Sequence, residues 1–75
     1  MGDLTRDHAK LCLSAEEVEL LQLLGRGLPL EAVARRLQTS EQTVRHRTRA
    51  ICVRMGVDFP IQAVVWAARR GLIGP

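Results

Sequence analysis

The chain has 75 residues, 47% of them hydrophobic and 25% charged, with a net charge of +3. That length allows one domain and a small core, so an enzyme built around a deep pocket is not expected. The chain is too apolar to be disordered at so low a net charge, and no apolar run approaches the roughly 20 residues needed to cross a bilayer.

Residues 1–12 (MGDLTRDHAKLC) are polar and mixed, and read as a flexible N-terminal tail or the end of a linker. They hold no apolar core region, so no secretory signal is expected, and Arg6 stands where a myristoylation site would need Ser or Thr. Residues 13–75 read as one domain. Its first helix begins at Ser14: the run Ser14-Ala15-Glu16-Glu17 is a capping box, and Leu13 and Val18 are spaced as a hydrophobic staple. Glu16, Glu17 and Glu19 fill the first turns, where the helix dipole favours acids. Val18, Leu20, Leu21 and Leu24 make the predicted buried face. Gly25 weakens the end and Gly27 is placed as a left-handed terminator.

A second helix is predicted from Pro29, in its first turn, with Leu30, Val33, Ala34 and Leu37 along one side. Arg35 and Arg36 are solvent-facing by default, with phosphate contact the less favoured role. Gln38-Thr39 leaves room only for a tight turn. A third helix then runs over 41–55, capped by Ser40 and stopped by Gly56. Val44, Thr48, Ile51 and Met55 fall on one face, while Arg45, Arg47, Arg49 and Arg54 interrupt the pattern with no acid among them. Two short helices joined by a tight turn, the second one basic, read as a helix-turn-helix.

The fourth helix follows Val57-Asp58-Phe59, with Asp58 or Phe59 as cap and Pro60 in the first turn. Ile61, Val64, Val65 and Ala68 are predicted to cover one face, and Ala63, Trp66 and Ala67 the others. A helix apolar nearly all round must bury more than one face, and in so small a domain a subunit contact is the simplest second one. Gly71 ends the helix, and Leu72-Ile73 are expected to fold back onto the core. No segment alternates with period two, so the predicted fold is all-α with four helices.

The charge is divided along the chain. Residues 1–34 carry three bases against six acids, and residues 35–75 carry eight arginines against Glu41 and Asp58. The basic half suggests a polyanionic partner. Ten of the eleven bases are arginine, which suits bidentate recognition of guanine and phosphate. Cys12 and Cys52 form no CxxC pair and read as reduced, partly buried thiols; His8 and His46 have nothing nearby to complete a ligand set. No metal, cofactor or small-molecule ligand is expected. Nor is catalysis, because Ser14 and Ser40 already have cap roles.

These residues carry a resemblance. Leu13-Ser14, Glu17, Glu19, Leu21, Leu24, Gly27-Leu28, Val33-Ala34, Leu37, Ser40, Thr43-Val44-Arg45, Ile51, Met55-Gly56-Val57, Ala63 and Gly71-Leu72-Ile73 together resemble the LuxR/GerE-type helix-turn-helix domain. That domain is also the DNA-binding effector of NarL-type response regulators, and the resemblance spans residues 13–73. It implies that helix 41–55 is a recognition helix for the major groove. Arg45, His46 and Arg49 match positions that face bases, and Gln42 is a further candidate for adenine. Thr43 matches a phosphate-contacting Thr, with Ser40 beside it. Arg47 is open between a phosphate contact and an intramolecular pair. The fourth helix matches the element that pairs two such domains, with Trp66, Ala67 and Ala63 as the expected interface; ordinary core packing is the competing role for Trp66.

The chain departs from the family at Arg47, where His is usual, and at Arg54, where Lys is usual. Pro29 replaces a small polar cap, and Ala32 replaces a common Glu. Pro60 stands where the family often has an Arg that packs near the acids of helix one, here Glu17 and Glu19. That ion pair is expected to be lost or rebuilt. The expected function is sequence-specific binding of double-stranded DNA by a homodimeric transcriptional regulator, cytoplasmic and nucleoid-associated, with no membrane role. It is either a stand-alone regulator or the effector part of a longer one. The rival is a protein-interaction module that docks on RNA polymerase or a sigma factor. A single-strand binder is disfavoured, because the only aromatics, Phe59 and Trp66, lie outside helix three.

Overall fold

The computed structural model describes residues 13–74; the expected tail over 1–12, with His8 and Cys12, lies outside them. Four helices follow in chain order: α1 Ala15–Gly25, α2 Leu30–Arg36, α3 Glu41–Met55 and α4 Pro60–Arg69. There is no strand among the described residues.

The α1 capping box is present in both halves. The Glu17 backbone N–H donates to Ser14 Oγ at 3.2 Å, and the Ser14 N–H donates to Glu17 Oε1 at 2.9 Å. Leu13 and Val18 are half-buried against the core, as a staple requires. The buried face is Leu20, Leu21 and Leu23, while Val18 and Leu24 are only half-buried. Leu23 was not expected there. The reason is that α1 touches all three other helices, so its apolar stripe is wider than one partner would need.

Pro29 is the cap of α2 and not part of its first turn, a correction of one residue. Its ψ of 156° is extended, while its carbonyl already accepts from the Val33 N–H at 3.1 Å. Val33 and Ala34 are buried, and Leu30 and Leu37 half-buried, on the side expected. The tight turn follows a Schellman pattern: Thr39 N–H donates to the Ala34 carbonyl at 2.9 Å and Gln38 N–H to the Arg35 carbonyl at 3.1 Å. Gln38 takes the left-handed position that glycine usually fills, at φ 56°.

α3 has the predicted limits. Val44, Ile51 and Cys52 are buried, with Thr48 and Met55 half-buried beside them. Thr48 Oγ1 donates to the Val44 carbonyl one turn back at 2.7 Å, so its hydroxyl is satisfied inside the helix. Burial also pushes the Cys52 thiol above its ordinary pKa. Gly56 closes the helix at φ 73°.

Phe59 is the cap residue of α4, with Pro60 at the first helical position. Phenylalanine has no acceptor, so only the return half of a box exists: Gln62 Oε1 accepts from the N–H groups of Asp58 (2.9 Å) and Phe59 (2.8 Å). The faces of α4 are reversed from the prediction. Ala63 and Ala67 are 0% exposed and belong to the core, whereas Ile61 is 61% and Val65 41% exposed. Ala68 also faces out, and Val64 is half-buried. Small side chains let α4 lie close to α1 and α3. At the end of α1 the fit is tight enough that a Cβ on Gly25 would come within 3.1 Å of Val64 Cγ1. Ile73 folds back into the core and Leu72 does not.

Candidate nucleic-acid interface

α3 is held by its apolar face and offers the opposite face to solvent. Its N-terminus is set by Ser40, whose Oγ accepts from the Thr43 N–H at 3.1 Å and donates to Thr43 Oγ1 at 2.9 Å. This cap commits the Ser40 hydroxyl twice, so Ser40 has no hydroxyl hydrogen left for a phosphate. The same bond leaves Thr43 its own hydroxyl hydrogen, and Thr43 is half-buried at the first turn.

Gln42, Arg45, His46 and Arg49 are all exposed and share the outward face. Arg45 Nη2 lies 3.9 Å from Glu41 Oε1 with both side chains well exposed, a loose pair that a competing anion can replace. Arg49 has no carboxylate within ion-pair distance among the described residues. Val53 completes this face one turn further on; at 74% exposed it is the most open large apolar side chain among the described residues, and it is not one of the residues expected at the interface. Its place on the helical wheel was the available signal.

Arg47 points elsewhere. It lines a groove of about 230 Å³ between α3 and the start of α1, with Ser14, Glu16, Glu17, Leu20, His46 and Ala50. It is exposed and makes no ion pair there, so of its two expected roles the intramolecular pair is not formed. The pair forms about two helical turns further along. Arg54 Nη2 donates to Glu17 Oε1 at 2.7 Å, with side chains 34% and 22% exposed. The core ion pair expected to be lost or rebuilt is therefore rebuilt, from α3 instead of the loop at Pro60. Burial alone would raise the Glu17 pKa. The Arg54 hydrogen bond, the Ser14 N–H, the Arg54 charge and the Ser14 hydroxyl outweigh it and hold the carboxyl below its ordinary value.

The residues expected at a dimer contact divide. Ala63 and Ala67 cannot meet a second chain, because this chain already encloses them. That corrects the expected interface. Trp66 stays half-buried at the edge of α4, and the apolar face turned outward is Ile61, Val65 and Ala68.

Residues 11–67 match the model of a family described as bacterial regulatory proteins, luxR family. The nitrate/nitrite response regulator protein NarL of Escherichia coli (strain K12) is 33% identical over 54 residues, which cover 72% of this chain and 25% of that protein. The protein of the same description in Escherichia coli strain CFT073 matches to the same extent. The chain thus spans about a quarter of the length of these curated relatives. No solved structure is a significant match.

Proposed function

The chain belongs to the luxR family of bacterial regulatory proteins, whose helix-turn-helix domains bind DNA, and on that premise we propose that it reads duplex DNA by laying α3 in the major groove. One observation carries this reading. The outward face of α3 presents Gln42, Arg45, His46 and Arg49 together, with the loosely held Glu41 the one carboxylate within ion-pair distance among the described residues, on a helix fixed to the domain by Val44, Ile51 and Cys52.

Arg45 and Arg49 lie one turn apart, so their guanidinium forks reach successive positions along a groove and suit the O6 and N7 acceptors of guanine. Gln42 and His46 flank them and complete the base-reading set. The Thr43 hydroxyl and Arg47 are the phosphate contacts; Ser40 acts by holding Thr43 in place. Two chains pair on DNA through the outward face of α4, with Ile61, Val65 and Ala68 at its centre and Trp66 at its margin. They read two half-sites about one helical turn apart. The output is regulation of transcription, in the bacterial cytoplasm.

The test is selection from randomised duplex DNA by the wild-type chain and by the Arg45→Ala/Arg49→Ala double variant. A two-fold symmetric motif, lost in the variant, is the expected result. No enriched motif, or one the variant keeps, would move the function to a protein partner at the transcription machinery.

A further inference from the structure

The basic residues at the end of α4 are not part of the α3 face. A groove of about 520 Å³ runs along this end, lined by Val57, Gln62, Val65, Trp66, Arg69 and Arg70. It shares no residue with Gln42, Arg45, His46 or Arg49. The Arg70 guanidinium carbon sits 4.5 Å from the centre of the Trp66 ring. At that distance the cation lies over the indole face, and its N–H groups make no side-chain hydrogen bond or ion pair among the described residues. The helix dipole accounts for two bases near a C-terminus, but not for their assembly around a half-buried indole and an apolar floor.

No carboxylate answers this charge within the described chain. α4 contains no acid, and neither Arg69 nor Arg70 is within ion-pair distance of one. Val57 and Val65 give the groove an apolar wall beside the two cations. A phosphodiester backbone offers repeated hydrated phosphates and the small edges of its sugars, and has no apolar side chain to place on that wall. A peptide has, because one residue can supply the carboxylate and its neighbour an apolar side chain.

We propose that this groove docks a short acidic segment of a partner protein, which sets a carboxylate on Arg69 and Arg70 and an apolar side chain against Val57, Val65 and the free edge of Trp66. This goes beyond DNA reading, and because Val65 and Trp66 also border the proposed dimer face, the peptide and a second chain compete for this edge of α4. A random peptide library selected on the immobilised chain supplies the probe, and the enriched peptide is then synthesised and titrated into the free chain. Trp66 is the only tryptophan, so its emission reports the groove directly. The expected result is a consensus that pairs Asp or Glu with an apolar residue, and a saturable change in Trp66 emission. Arg69→Gln/Arg70→Gln, checked for an unchanged helical spectrum, should weaken the peptide by about fivefold, since two exposed charge contacts are lost. A consensus without acids, or equal binding by the variant, would overturn the proposal. So would displacement of the peptide by random-sequence duplex DNA from the Ile61→Asp chain, in which pairing of two chains is weakened, since that would give the groove to phosphates.

Discussion

Glu17 serves two elements with one carboxylate: Oε1 accepts both the Ser14 N–H that starts α1 and the Arg54 Nη2 from α3. Its pKa is held below the ordinary value in the fold. The stability it adds is therefore present above that ordinary value and is lost as pH falls through the folded one. Glu17→Gln should cost about 1 kcal/mol at neutral pH. It should also flatten the loss of stability below about pH 5, and thermal melts across that range would show it. Parallel curves for the two proteins would remove Glu17 from the account. Arg49→Ala should weaken DNA binding by about 1–3 kcal/mol and relax preference at one base pair. Arg47→Ala should instead weaken all sequences alike and lower the salt slope by about 1. Titrations on matched and mismatched duplexes at several salt concentrations separate these two behaviours. The Arg54–Glu17 pair was half legible: the resemblance showed that a basic partner was missing at Pro60, but residues 37 apart in sequence meet only once α1 and α3 have packed.

Three helices end in the same two-bond pattern, and the exception lies in its chemistry. α3 and α4 use Gly56 and Gly71 at the left-handed position, whereas α2, at the turn that aims α3, uses Gln38. A side chain there costs about 1–2 kcal/mol, offset in part by the smaller entropy that Gln loses on folding. Gln38→Gly should thus raise stability by roughly 0.5–1 kcal/mol, read as a higher denaturation midpoint with an unchanged slope. A drop would mean that the Gln38 side chain makes a contact worth more than the strain. Helix limits were readable because caps are local: Ser14, Ser40, Phe59-Pro60 and Gly56 each act within a few residues. The faces of α4 were not. Its residues are apolar on almost every side, so period alone cannot say whether Ala63 and Ala67 or Ile61 and Val65 face inward.

At the scale of the molecule, that inversion separates folding from assembly. Ala67→Asp would bury an unpaired charge in a position with no exposure and should unfold the chain. Ile61→Asp lies on the open face, so it should leave the helical spectrum intact while weakening binding to paired half-sites more than to a single one. Gel shifts on the two duplexes check this, and equal weakening would place the dimer contact elsewhere. The sequence by itself determined the all-α class, the four helices, the helix-turn-helix and the cations of α3, because caps, turn residues and one-sided apolar periods are written locally. Tertiary structure alone decided which alanines are core, which arginine answers Glu17, and that Arg70 lies on Trp66. Those outcomes depend on how closely helices approach one another, and that distance is set by all the side chains at a contact together.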